Sequence, residues 1–211
     1  PAAPDQIADP IIVHPDVRRR LTLMKAELIA ARGLCYWAAA LLDEAHRSND
    51  LEQRRLADQR VSFLTPVLKS YVSDLGSKFA NEAVQMHGGH GFVKDHGVEQ
   101  LVRDVRITQI YEGTNAIQAI DLATRKLKAD GGAAFQYFLW QIREEAELAD
   151  DAGLQSSADR LARVSSFLVE AEAEVSLYHA SEFLDLTAIT LNAMMVSRIE
   201  RISRRCSEDI S

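Results

Sequence analysis

The stretch QIYEGTNAIQAI, residues 109 to 120, sets one carboxylate, Glu112, between Ile110-Tyr111 and Gly113-Thr114 at the mouth of an apolar segment. Two influences oppose each other there: the positive end of a helix dipole favours the charged carboxylate, and apolar neighbours favour the protonated one. General bases acquire a working pKa from such a balance, for Glu typically about 6 to 7. By position alone, the same acid also serves as a plain complement to the helix dipole.

A second constellation is QMHGGHG, residues 85 to 91. Backbone N–H groups in a glycine-rich turn approach an anion closely. It is not a phosphate loop of either familiar type, because it follows a helical stripe rather than a strand and lacks the Lys-Ser/Thr ending. A helix C-cap accounts for Gly88 and Gly89 but leaves Gly91 and Gln85 without a role. His87, His90, Asp95 and His96 match no common metal-ligand spacing, and the glycines between them would not pre-orient ligands, so no metal is expected. Arg103, Asp104 and Arg106 read as local ion pairs that hold the next turn in place.

Long helices must position these groups. Asp16 is an N-cap candidate for a helix whose apolar positions are Val17, Leu21, Met24, Leu28, Ala31, Cys35, Ala38 and Leu42. After a polar, weakly helical stretch, Thr65-Pro66 reads as the N-cap and N1 of a second helix, striped by Val67, Leu68, Tyr71, Leu75, Phe79, Ala83 and Met86 and stopped at Gly88-Gly89. A compact turn through residues 87 to 97 and a short helix, VEQLVRDVRI, lead to the Glu112 motif. Thr114 then caps a helix with Ile117, Ile120, Ala123 and Leu127 on one face, and Gly131-Gly132 ends it. Three further helices are expected near 134 to 149, 156 to 180 and 182 to 205, the middle one striped by Leu161, Val164, Leu168, Ala171, Val175 and Tyr178. No alternating strand pattern and no internal repeat competes. The fold class is therefore all-α, with residues 1 to 130 as one helical bundle and 131 to 211 as an added helical hairpin or bundle.

Composition narrows the function. The 211 residues are 47% hydrophobic, ample for a buried core. The net charge of −7 arises wholly after residue 130, where 14 acidic residues face 7 basic ones. Arg18, Arg19 and Arg20 make only a short cluster, so a nucleic-acid partner is not expected. Cys35 and Cys206 are far apart and suit free thiols in a reducing compartment, the cytoplasm or, with a targeting piece missing, an organelle lumen. No run reaches the length of a membrane span, and no signal-peptide pattern opens the chain.

As a set, AVQMHGGHGF, LVRDVRITQIYEGTNAIQ and the 27-residue spacing from Gln85 to Glu112 resemble the acyl-CoA dehydrogenase flavoprotein family. Residues 12 to 130 resemble most of that family's C-terminal helical domain without its first helix, and residues 131 to 211 resemble the extra helical region of its larger members. The resemblance implies an FAD enzyme that removes the α-proton of an acyl-CoA while a β-hydride passes to the flavin, leaving a trans-2-enoyl-CoA. Glu112 matches the base, Gly113 a backbone contact to substrate, and Thr114 with the main chain through Ala116 the FAD contacts. Ala116 replaces a longer polar residue of several smaller members, so only a main-chain contact is implied there. Gln85, Gly88 and Gly89 match the segment that reaches the FAD of the neighbouring subunit, which implies a homodimer or a tetramer. An electron-transfer protein would be the electron acceptor.

The N-terminal helical and central β-domains of such enzymes are not in these residues, and the chain opens PAAPDQIADP without Met, so a C-terminal fragment is expected, inactive in isolation and binding little FAD. A non-catalytic helical interaction module that keeps the motif, or an acyl-CoA oxidase passing electrons to oxygen, are the alternatives.

Overall fold

The computed structural model describes residues 8 to 208, and among them every regular element is helical. None of the helices is long and apolar enough to cross a membrane. The frame is an antiparallel pair, α1 (Pro15–Arg47) and α2 (Leu51–His87), joined by a turn at residues 48 to 50. Ion pairs tie the start of α1 to the far end of α2: Arg20 to Glu82 at 3.0 Å and Lys78 to Glu27 at 2.8 Å.

Local chemistry sets some ends as the sequence predicts and moves others. Pro15 occupies the first turn of α1 after His14, so Asp16 lies inside the helix rather than capping it. There its carboxylate accepts hydrogen bonds from Arg19 and Arg20, which hold its pKa below the usual carboxylate range. Thr65-Pro66 does not start a helix either. Asp50 does, its carboxylate accepting from the amides of Glu52 (2.8 Å) and Gln53 (3.3 Å), and the polar stretch after it is fully helical. Pro66 sits inside α2 and is buried, so core packing offsets the ~3 kcal/mol that an interior proline costs. Thr65 turns its hydroxyl back onto the Val61 carbonyl at 2.8 Å. Asp50→Ala should lower stability by about 1 kcal/mol through the lost cap, read as a shift of the urea midpoint without a change in slope.

The apolar line read along α1 coincides only in part with the face it buries: Ala31 is buried and Ala38 packs against the core. Leu21, Leu28, Cys35 and Leu42 are exposed, whereas Ala30, Leu34, Leu41 and Ala45 are buried. α1 carries apolar residues on more than one face, and packing against α2 and the last helix selects which is covered.

Beyond α2 come α3 (Gly89–Phe92), α4 (Val98–Arg106) and α5 (Asn115–Asp121). Thr114 caps α5 as expected, through the Ile117 amide. The helix is shorter than its pattern, passing into a π turn over Leu122–Lys126, with Ile117 exposed and Ala123 and Leu127 buried. Asp130, Gly131 and Gly132 take positive φ in succession and reverse the chain into α6 (Ala133–Leu148).

The expected middle helix near 156 to 180 is two helices, α7 (Ala152–Glu170) and α8 (Ala173–Tyr178), followed by α9 (Ala180–Glu208). Ala171 and Glu172 are extended, and buried Ser176 donates to the Leu168 carbonyl at 3.2 Å, satisfying a group the broken helix leaves open. Leu161 and Leu168 are buried as the stripe requires, but Tyr178 is exposed.

A single hydrophobic cluster runs through α1, α2, α5, α6, α7 and α9. Phe63 of α2 stacks on Phe138 of α6 with centroids 5.4 Å apart, and Trp37 of α1 meets Phe138 edge-on at 5.2 Å. These contacts hold α2 against the later segment.

Candidate functional site

Glu112 lies in the short connection between α4 and α5, after a 3₁₀ turn at Ile107–Gln109. Its φ is +56°, the left-handed region, and Gly113 follows at +81°. Glycine takes this region freely; a residue with a Cβ costs about 1–2 kcal/mol there. Such strain persists only where the surroundings over-determine it, and here they do. The Gln118 side-chain amide donates to the Glu112 carbonyl at 2.9 Å, and Lys69 Nζ donates to the Gly113 carbonyl at 2.6 Å. Lys69 is also bound to Asn115 Oδ1 at 2.8 Å.

Asn115 ties the loop to α2. Its Nδ2 donates to Asp74 Oδ1 (2.8 Å), Ser73 Oγ (3.0 Å) and the Ser70 carbonyl (3.3 Å). Asp74 accepts a further bond from Gln109, which in turn accepts from Arg106 Nη1 at 2.9 Å. Arg106 thus steadies the approach to the loop through Gln109. The local ion pairs expected of Arg103, Asp104 and Arg106 do not form; Asp104 accepts from Gln100 instead.

The loop opens on a cleft of about 460 Å³ whose lining is mostly apolar, with Leu68, Val72, Val105 and Tyr111, and includes Lys69 and Glu112. Cys35 also borders it, and although exposed at the surface its thiol is partly desolvated by its neighbours, which pushes its pKa up, away from the reactive thiolate. A glutamate in the lining of a mostly apolar cleft can take a proton from a carbon acid held there.

Gly113, Thr114 and Ala116 are exposed at the N-terminal end of α5, on the same loop as Glu112. Gln85, Gly88 and Gly89 are exposed at the C-terminal end of α2. From Lys69 to Gln85 is 16 residues of one helix, about 24 Å at 1.5 Å per residue, so the chain does not bring the two groups together. A Cβ added to Gly88 or Gly89 would meet nothing within 4 Å, leaving that surface open. Gly91, without a role in the sequence, has a packing reason: a Cβ there would fall 2.7 Å from both His87 Cβ and the Val84 carbonyl. The expected compact turn contains the single helical turn of α3, which Gly91 lets fold back on the end of α2. His90 and His96 lie edge to face with centroids 5.1 Å apart, and His87 Nδ1 lies 2.8 Å from the Ala83 carbonyl.

Sequence reasoning missed Lys69, Asn115, Asp74, Gln109 and Gln118. One signal was present: Lys69, Ser70, Ser73, Asp74 and Ser77 make a polar stripe at helical spacing beside the apolar stripe of α2, and Ser70 and Ser73 are buried.

The chain matches the family described as acyl-CoA dehydrogenase, C-terminal domain, over residues 3 to 127. It is 43% identical over 159 residues to the 3-methylmercaptopropionyl-CoA dehydrogenase of Ruegeria pomeroyi, covering 74% of this chain and 27% of that protein. It is 37% identical to a butyryl-CoA dehydrogenase of Syntrophomonas wolfei over 132 residues, 63% of this chain and 22% of that one. With the broad-specificity linear acyl-CoA dehydrogenase FadE5 of Mycobacterium tuberculosis it shares 37% identity over 133 residues, 62% of this chain and 22% of that protein. The chain thus spans about a quarter of the length of these curated relatives. A solved structure, Bd2924 in its apo form, superposes with a TM-score of 0.73 at 22% identity, covering 93% of this chain and 36% of that one. This likeness is one of fold, and it runs past residue 130.

Proposed function

The chain belongs to the acyl-CoA dehydrogenase family, matching its C-terminal domain over residues 3 to 127, and from that premise we propose that it is the C-terminal part of an FAD-dependent enzyme oxidising an acyl-CoA to a trans-2-enoyl-CoA. Glu112 takes the α-proton. A bound FAD would supply the acceptor for the β-hydride. What supports the assignment above all is the strained, doubly clamped loop that brings Glu112 into the lining of a mostly apolar cleft.

The residues present fit the cofactor. Thr114 and the main chain to Ala116 stand exposed where first-turn N–H groups of α5 lack helical partners, and Gly113 adds no side chain in the way. Gly113 offers its backbone to the thioester. The apolar cleft takes the acyl chain and keeps water from the α-carbon. The distance between the α5 end and the Gln85-Gly88-Gly89 end of α2 supports two different flavins, one from each subunit of a homodimer or tetramer. An electron-transfer protein then reoxidises the enzyme, in the cytoplasm.

The test uses the full-length protein, held without oxygen. Addition of an acyl-CoA should bleach the flavin absorbance near stoichiometrically, with enoyl-CoA as product. Failure of every acyl-CoA in a chain-length series to bleach a flavin-loaded protein would sink the assignment. Rapid oxygen uptake with peroxide formation would move it to an oxidase. The 211-residue chain alone should show no dehydrogenase activity and remain nearly colourless after incubation with FAD.

A further inference from the structure

Resting on the reading of Glu112 as the base, we propose that Lys69 is a positioning residue, a charged latch that holds the Glu112 loop in its strained conformation and thereby sets the direction of proton abstraction. A left-handed glutamate must be held from outside, and the two carbonyls that define its backbone are gripped by side chains of two different helices, Lys69 of α2 and Gln118 of α5. Lys69 carries the charged grip, which is the stronger type of hydrogen bond.

The ammonium is itself fixed. Asn115 Oδ1 accepts from it, and the Asn115 amide is committed at its other end to Asp74, Ser73 and the Ser70 carbonyl. Asp74 also receives Gln109, three residues before Glu112. Both flanks of Glu112 are therefore anchored on one polar stripe of α2, and Lys69 is the member of that stripe that reaches the loop's own backbone beyond Asn115. Lys69 lines the same cleft as Leu68 and Val72, where an apolar side chain would pack equally well if lining were its only task. Its bond to Gly113 fixes the peptide next to the base, so loss of the bond lets the carboxylate wander while leaving it chemically unchanged.

The experiment is Lys69→Met in the full-length flavin-loaded protein, beside Lys69→Arg and Glu112→Gln. For Lys69→Met, flavin content and KM should stay near those of the parent, while flavin reduction at saturating acyl-CoA falls about 10- to 100-fold, the loss expected from a misplaced reacting group. The isotope effect with α-deuterated substrate should rise, because proton removal becomes more fully rate-limiting. Lys69→Arg should restore much of the rate. Hydrogen exchange of the peptide spanning residues 107 to 118 should quicken in Lys69→Met and return towards the parent in Lys69→Arg. Unchanged exchange overturns the latch. Faster exchange with an undiminished rate, when Glu112→Gln is inactive, overturns the positioning role alone. Undiminished reduction in Glu112→Gln sinks the base and the proposal together. Should Lys69→Met fail to accumulate as folded protein, Lys69→Gln, too short to reach the Gly113 carbonyl, is read by the same outcomes.

Discussion

In the full-length enzyme, Glu112→Gln should keep its flavin and lose reduction by acyl-CoA by about 10²–10⁴ or more, the usual cost of removing a positioned base. The substitution is a clean one. Every clamp on the loop uses a main-chain carbonyl of residue 112 or 113, or the side chains of Asn115 and Gln109, and none uses the Glu112 carboxylate. Glutamine therefore inherits the strained backbone, and the melting temperature should move by no more than a surface change produces. Stopped-flow measurement of flavin bleaching reads the rate directly. A variant that bleaches as fast as the parent would leave Glu112 as a helix-end acid and nothing more.

The largest stability effect is expected at Glu145. Its side chain is fully buried on α6, and two arginines of α9 hold it: Arg201 donates to both oxygens at 2.8 and 2.7 Å, and Arg198 to one at 3.2 Å. Arg198 also reaches Gln141 and lies over the Trp37 ring at 5.7 Å. Glu145→Ala leaves these partly buried cations without their counter-charge, and breaking such a pair typically costs about 3–5 kcal/mol, a large share of a domain's total stability. Urea unfolding should show the loss as a lower midpoint. Burial pushes the Glu145 carboxyl up, but the hydrogen bonds from Arg201 and Arg198 more than reverse it, so its folded pKa lies below the ordinary value of 4.5. The cluster's contribution is then fully present above about pH 4.5 and drains away as pH falls through the lowered pKa, because the unfolded chain takes the proton first. In Glu145→Gln this acid dependence should shrink, which separates it from the other carboxylates that titrate in the same range.

Glu145 also illustrates what escapes a sequence. In the run QIREEAEL nothing distinguishes it from Glu144 and Glu147, since all three are ordinary acids on a helix. Which one faces α9 depends on the packing of α6. The site divides along the same line. Glu112, Gly113 and Thr114 stood out as candidates because an acid, a glycine and a cap meet at a helix start, a pattern that alone reads as a helix-end acid and that the resemblance of the whole motif set, with its spacing from Gln85, singled out. Lys69 and Asn115 were not, because their meaning lies in a contact 46 residues apart along the chain. Pro66 misled for a related reason: local rules place proline at a helix start, and only burial in the core lets it stand inside α2. The break at Ala171 carries no glycine or proline to announce it, and the bond from Ser176 to the Leu168 carbonyl that accompanies it spans 8 residues.

By itself, the sequence determined that the protein is helical, where its glycine-rich turns lie, that Thr114 opens a helix, and that Glu112 stands before it. These follow from hydrophobic period, caps and backbone preference, which act within a few residues. Only the tertiary structure decided which face of α1 is covered, that α2 runs unbroken from Asp50's cap to Gly88, and that Glu112 is held in a left-handed conformation by Lys69 and Gln118. Those outcomes depend on burial and on hydrogen bonds between distant helices, and neither is set until the helices have packed.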